Sequence, residues 1–338
     1  MTQYVGSNSW IIKRVPNARN EQQNFTYTDN IIPGRASLVI LGGSLTVDTK
    51  AAFGYIDNIV GVLDDADNVD IYSAIYNFES LDPLLVKANI FRRAGRKIKL
   101  DMDAKVARRK EQQLQTIIEN EPTPGYIEDL YDFLFENTIV PNDINKTKFN
   151  LGKIVIYTHC HGATVLKQLG EMAYQNMQQM GYKASDISDA LRNIIAIQHN
   201  PAAPLEHQMF TMLNFMSASD DTLNFYDSFS RHVLNHRNIK PAFFGNNYNN
   251  TFVVGQMNKQ PGAEHGFRIG YAPEKQHELT DDGKMIFGLE HNAINNAIKA
   301  TQSDAQKPSI EALVNGKNVD FEMLAENGKL IFNNFNQR

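Results

Sequence analysis

The clearest indication of the fold in this 338-residue chain is the run Lys153-Ile154-Val155-Ile156-Tyr157-Thr158-His159-Cys160-His161-Gly162. Its first half is short, apolar and β-branched, as expected for a strand that is buried on both faces of a sheet. Helical spacing follows at once, through the apolar residues Ala163, Leu166, Leu169, Ala173 and Met177. The sequence therefore predicts a sharp turn at Cys160 that joins a buried strand to a helix.

Segments of the same two kinds lie on both sides of this turn. Ser37–Leu41 is an apolar run that stops at Gly42-Gly43, and helical spacing then leads to another strand-like run at residues 69–76. Further strands are expected at residues 193–198, 209–216 and 251–256, and a helix at residues 289–300. Residues 309–335 fit either a helix or a hairpin. This alternation predicts an α/β protein, a three-layer α/β/α sandwich around a mainly parallel sheet.

The predicted domain organisation is one large domain with a helical insertion. Residues 1–35 are polar and irregular and are interpreted as an N-terminal arm, and residues 36–338 form the α/β domain. The insertion, at about residues 79–121, is strongly charged, with nine Lys and Arg residues crowded between Arg92 and Lys110. A solvated helix face is the simplest interpretation of this basic cluster, and contact with an acidic partner, a phospholipid or a phosphate is the alternative.

Composition excludes several functional classes. Lys and Arg number 33 against 38 Asp and Glu, a net charge of −5, so no global field attracts nucleic acid and no nucleic-acid partner is expected. The single cysteine permits neither an internal disulfide nor a cysteine-rich metal site. No apolar stretch approaches the roughly 18 residues that cross a bilayer, and residues 1–14 do not form a signal peptide. We expect a cytoplasmic protein, or one exported by a bacterial secretion system without a cleaved signal peptide.

The chemistry of the predicted turn centres on the thiol of Cys160. A helix N-terminus behind the thiol, and imidazoles beside it, favour the reactive thiolate over a thiol whose free pKa is about 8.5. His159 and His161 flank the cysteine directly. Two other interpretations stand beside this one: a buried structural cysteine, and a His-x-His metal pair of the kind that ends a barrel strand. The chain after His161 is too short to complete an eightfold barrel, which disfavours the metal pair.

Thr158-His159-Cys160-His161-Gly162 resembles the nucleophile elbow of the α/β-hydrolase superfamily, with Cys in place of Ser as in its dienelactone hydrolase branch. Thr158 stands where the family usually has Gly or Ala. The resemblance implies that an acid and then a histidine follow the nucleophile along the chain. It also implies an oxyanion hole made by the backbone N–H of His161 and a donor from the loop that contains Gly42, Gly43 and Ser44.

The chain supplies an acid and a histidine in this order. Asp220 and Asp221 follow the strand-like run at residues 209–216, although an acidic pair in that place is commonly a solvated loop. His265, in a loop at residues 261–267 that resembles the histidine loop of dienelactone hydrolase-like enzymes, is the expected proton acceptor. His291 is the alternative acceptor, and its other interpretation is a residue on the surface of a helix that begins there. His199 is expected in a loop.

The predicted function is hydrolysis of an ester, thioester or amide through an acyl-cysteine intermediate, by a Cys-His-Asp triad without metal or cofactor. The substrate would be a small molecule or an acylated compound. An acyltransferase would use the same residues, and a noncatalytic binding protein or bacterial effector on the same scaffold is the competing class, which Thr158 favours. A caspase-like site is disfavoured because all nine histidines lie at His159 or later, whereas that family places its histidine before the cysteine.

Overall fold

The computed structural model describes residues 9–16, 24–43, 46, 48–76, 125–201, 209–217, 220, 242–245, 249–260, 268–303, 308–317 and 331–334. Within these residues, ten strands form one sheet. The strands are β1 (Ser9–Arg14), β2 (Phe25–Tyr27), β3 (Ser37–Leu41), β4 (Asp70–Tyr76), β5 (Ile154–Cys160), β6 (Ile195–Pro201), β7 (Thr211–Ser217), β8 (Ala242–Gly245), β9 (Asn249–Val254) and β10 (Ile331–Asn334).

The sheet is mainly parallel, as the sequence predicts. Its strand order is β10-β8-β9-β7-β6-β5-β3-β4-β1-β2, and the six central strands from β9 to β4 run in the same direction. β1 pairs antiparallel with β4 at one end, and β8 pairs antiparallel with β9 at the other. All residues of β3 and β5 are buried, because these strands are covered on both faces.

Helices cover both faces of this sheet. They are α1 (Thr49–Val60), α2 (Gly125–Tyr131), α3 (Ile144–Leu151), α4 (Gly162–Gln179), α5 (Ala184–Leu191), α6 (Arg268–Tyr271), α7 (Asp281–Gln302) and α8 (Ile310–Val314). Side chains of α1, α7 and α8 join one apolar cluster, and those of α2 to α5 join another on the opposite face. This arrangement confirms the predicted α/β/α sandwich, with the carboxyl ends of the parallel strands at a common edge.

The N-terminal segment differs from the expected irregular arm, because it contributes β1 and β2 to the sheet. Ile11 and Ile12 are buried on opposite faces. Lys13 and Arg14, whose polarity suggests a loop, lie near the edge of the sheet, where they form ion pairs of 2.9 Å with Asp70 and 3.0 Å with Asp67. A strand near an edge needs fewer apolar residues than a central one, which is why its pattern is weak.

Two further differences concern the C-terminal half. α7 begins at Asp281 and not near residue 289, because the side chain of Thr280 caps it by accepting the Gly283 N–H at 2.9 Å. Residues 309–335 contain both a helix, α8, and a strand, β10. The predicted helical insertion at residues 79–121, including the cluster from Arg92 to Lys110, lies outside the described residues. Among the described helices, none combines the length and the apolar character needed to cross a membrane.

Candidate functional site

Cys160 is held in a backbone conformation that non-glycine residues rarely adopt. It ends β5 with φ of +53°, in the left-handed region, and the 18-residue helix α4 begins two residues later at Gly162. The side chain is 6% exposed. The predicted strand, sharp turn and helix are therefore present, with the thiol at the carboxyl edge of the parallel sheet and at the N-terminal end of the helix.

The loop after β3 lies directly against this turn. A Cβ atom added to Gly43 would be 3.4 Å from the Cβ of Cys160 and 3.3 Å from Nδ1 of His159. The Gly43 N–H donates a hydrogen bond of 3.1 Å to the hydroxyl of Tyr55, on α1. Gly42 and Gly43 are thus beside the thiol, with the Gly43 amide engaged by a side chain. Their role as oxyanion donors stays a prediction, and Ser44 lies outside the described residues.

The two histidines that flank Cys160 contact different layers of the fold. His159 Nδ1 lies 2.6 Å from the hydroxyl of Tyr55, in the layer of α1 and α7. His161 Nε2 lies 3.3 Å from the hydroxyl of Tyr126, on α2 in the other layer. The two imidazoles thus contact tyrosines of different layers, and the described residues contain no cluster of three His, Cys, Asp or Glu that could hold a metal ion.

The phenol of Tyr55 links the glycine loop to His159. Burial raises the pKa of Tyr55 well above its ordinary value of 10, partly opposed by the hydrogen bond from Gly43, so the hydroxyl is protonated at neutral pH. Because its oxygen accepts the Gly43 N–H, its own proton can be donated to His159 Nδ1. No sequence pattern indicates that Tyr55 belongs to the site.

The predicted acids and histidines are only partly within the described residues. Asp220 follows β7 and is 1% exposed, and its N–H donates to the Ser217 carbonyl at 3.2 Å. The solvated-loop interpretation is therefore wrong for Asp220. Asp221 and His265 lie outside the described residues, so their proximity to the thiol stays a prediction.

His291 is neither at a helix start nor on a surface, in contrast to its expected place. It is 8% exposed and lies well inside α7, about 4.8 Å from Tyr271 and 6.3 Å from Phe287 between ring centroids. Its Nε2 atom has no hydrogen-bond partner in the described part of the chain. Its participation in a triad stays a prediction.

A buried carboxylate beneath the sheet edge is the main feature that sequence reasoning misses. Glu290, on α7, is fully buried and accepts hydrogen bonds from Tyr157 at 2.7 Å, Tyr271 at 2.5 Å and His199 Nδ1 at 2.9 Å. His199 belongs to β6, so its expected place in a loop is wrong. The helical spacing indicates that Glu290 is buried, because it shares the apolar face of α7 with Ile286, Ala293, Ile294 and Ala297.

The environment of Glu290 keeps its carboxyl ionised. Burial alone would raise its pKa above the ordinary value of 4.5, but attraction to His199 and the hydrogen bonds from His199, Tyr271 and Tyr157 outweigh burial and lower it. The ring of His199 also lies 5.7 Å from that of His159, between centroids. The carboxylate thus fixes a histidine that packs against the residue preceding the thiol.

One buried and one half-buried histidine, His291 and His161, predict a loss of stability in mild acid. Burial lowers the pKa of His161 and of His291 to about 4, from an ordinary value of 6.5. Because the unfolded chain then binds more protons than the folded chain, the free energy of unfolding falls as pH drops from 6.5 to 4, by up to about 3 kcal/mol for His291. Because His161 is partly exposed to solvent, its contribution to this loss of unfolding free energy is smaller.

Urea denaturation at several pH values between 7 and 4 measures this loss. The variant His291→Leu should show a shallower decrease with falling pH than the wild-type protein. An unchanged pH dependence in the variant would show that His291 is not buried as a neutral side chain.

Comparison with known proteins gives only distant structural likenesses. No protein-family model and no curated protein matches the chain. The structure is similar to the monoclinic form of an esterase from Pyrobaculum calidifontis, over 82% of this chain and 80% of that one, with 12% sequence identity and a TM-score of 0.37. A similarity this low assigns neither a family nor an activity.

Proposed function

We propose that the protein is a hydrolase of the α/β-hydrolase type that cleaves an ester, thioester or amide, with Cys160 as nucleophile. The observation that carries the proposal is the left-handed backbone of Cys160, φ +53°, at the junction of a buried parallel strand and a long helix. Strained backbone at a sheet edge is typical of residues that a fold presents to a substrate. The glycine loop after β3 lies beside it.

The proposed reaction has two steps. In the first, the Cys160 sulfur attacks the substrate carbonyl carbon, His265 takes the thiol proton and returns it to the departing alcohol, thiol or amine, and the acyl group stays on sulfur. In the second, a water molecule attacks the acyl-cysteine while His265 accepts its proton, and the carboxylic acid leaves as the thiol is restored. Asp220, which is buried after β7, would hold the imidazole of His265.

Activation of the thiol would come from the helix and from this base. The N-terminus of α4 favours the thiolate, because unpaired backbone N–H groups and the helix dipole attract negative charge. His161 is adjacent, but burial lowers its pKa to about 4, so it stays neutral near pH 7 and supplies no positive charge.

Alkylation by iodoacetamide tests the proposal directly, because Cys160 is the only cysteine in the chain. We expect the alkylation rate of the folded protein to rise with a midpoint below pH 8.5, the value of a free thiol. The same protein unfolded in urea is the control and should show the ordinary midpoint. Alkylation should abolish turnover of a library of p-nitrophenyl esters and acyl thioesters, and Cys160→Ala should be inactive towards it.

Two outcomes would contradict the proposal. A folded-state midpoint at or above that of the unfolded chain would show an inert, structural cysteine. Equal turnover by the wild-type protein and Cys160→Ala, or none by either, would favour the noncatalytic binding protein.

A further inference from the structure

A row of buried polar side chains crosses four neighbouring strands just below Cys160. Thr158 on β5 pairs in register with Gln198 on β6, Gln198 with Asn214 on β7, and Asn214 with Thr251 on β9. Register partners on parallel strands point to the same face of a sheet, so the four side chains form one continuous row. Each is at most 2% exposed.

This row lies between an apolar core and the thiol. Residues two positions earlier on the same face, such as Ile156 of β5 and Ala196 of β6, belong to the apolar cluster beneath α4. Cys160 comes two positions after Thr158, past a register shift between β5 and β6 and with a left-handed backbone. The polar row therefore lies near the end of β5 that carries the nucleophile.

Two members of the row lack hydrogen-bond partners. Within the described part of the chain, Oε1 and Nε2 of Gln198 and Oγ1 of Thr158 are buried and unpaired, whereas the Asn214 amide donates to the Thr251 hydroxyl at 3.3 Å. Buried polar atoms are nearly always paired, because leaving one unpaired loses the hydrogen bond that it makes to water in the unfolded chain. An unpaired carboxamide and an unpaired hydroxyl, side by side below the thiol, indicate a place for a polar ligand group.

We propose that Thr158 and Gln198 bind an amide group in the acyl part of the substrate. A carboxamide presents one acceptor and one donor, which complement the N–H and C=O groups of another amide, and the Thr158 hydroxyl supplies a further donor or acceptor. The inference rests on the proposed function and names its substrate class: N-acylated amino acid or peptide-like acyl groups are preferred to aliphatic ones. It also gives a role to Thr158, which replaces the small residue usual at this position.

Two esters of equal chain length measure this preference. The ratio of kcat/KM for p-nitrophenyl N-acetylglycinate to that for p-nitrophenyl pentanoate should fall at least about tenfold in Gln198→Met, as expected for loss of hydrogen bonds to the bound amide. Thr158→Val should lower the same ratio. Ser73→Ala is the matched control, because Ser73 Oγ is also buried and unpaired but lies on β4, and it should leave the ratio unchanged.

A binding measurement separates this inference from the proposed function. N-acetylglycinamide should raise the Tm of Cys160→Ala, and adding Gln198→Met to that variant should abolish the rise. If Cys160→Ala binds N-acetylglycinamide but also keeps full turnover, the binding would support the amide site. The turnover would contradict the cysteine mechanism. An unchanged ester ratio together with no Tm shift would overturn the amide site, and the row would then be an internal part of the core.

Discussion

Replacing Gly162 by alanine is expected to lower the free energy of unfolding by about 3 kcal/mol, because the methyl group has no space. The new Cβ atom would lie 2.0 Å from the carbonyl oxygen of Leu41 and 3.0 Å from that of Gly42. Both are backbone atoms of β3 and the loop that follows it, so neither can move aside by changing a rotamer. The first turn of α4 would have to shift away from the sheet, and Cys160 with it.

Urea denaturation of Gly162→Ala and of Gly54→Ala measures this effect against a matched control. Gly54 is also helical, in α1, but a Cβ atom there would meet no other atom within 4 Å. Gly54→Ala should therefore stabilise the protein by up to about 1 kcal/mol, through the lower backbone entropy of alanine in the unfolded chain. Equal unfolding energies for the two variants would show that α4 does not pack closely against β3 at Gly162.

The same contact explains why the turn could be predicted from the sequence. A strand buried on both faces must be uniformly apolar, and residues 153–157 and Ser37–Leu41 carry that signal without help from distant residues. The glycine two positions after Cys160 is part of the same local signal, since it lets the helix approach the neighbouring strand. The weaker strands β1, β8 and β10 lie towards the ends of the sheet, where apolar residues are needed less.

The surroundings of the thiol could not be predicted in the same way. The bond between Tyr55 and His159 joins residues 104 positions apart, and that between His199 and Glu290 joins residues 91 apart. Such pairs depend on strand register and helix rotation, which no local pattern specifies. The helical spacing after β3 suggests Ala51, Tyr55, Ile59 and Val62 as the buried face, whereas the structure buries Ala52, Ile56 and Ile59 and leaves Tyr55 to reach the sheet edge.

Polar residues inside apolar segments carry more information than their surroundings suggest. Gln198 and Glu290 each interrupt an apolar pattern, in β6 and α7 respectively, and both prove to be buried. Burying a polar group costs free energy unless a partner compensates it. A polar residue that interrupts an apolar pattern therefore predicts a hydrogen-bond partner, although the sequence does not identify that partner. For Glu290 the partners are three side chains, and for Gln198 we propose a substrate amide.

Removal of the Glu290 carboxylate is expected to destabilise the fold by about 3–5 kcal/mol, as measured by urea denaturation of Glu290→Ala at pH 7. Tyr157, Tyr271 and His199 would lose a common acceptor inside the buried core. Glu290→Gln keeps the volume but offers one acceptor oxygen for three donors, so an intermediate loss is expected. Glu171→Ala, on the exposed side of α4, is the control and should change stability by less than about 0.5 kcal/mol.

The pH dependence of Glu290→Gln tests whether the carboxylate is ionised in the folded protein. Because the folded pKa of Glu290 lies below its ordinary 4.5, its ionisation stabilises the wild-type protein above pH 4.5, and this contribution is lost as pH falls through the folded value. The glutamine variant has no such group, so its deficit relative to wild type should narrow below pH 4.5. A deficit that stays constant or widens as pH falls to 3 would show that the folded pKa of Glu290 is not lowered, and would contradict a stabilising buried carboxylate.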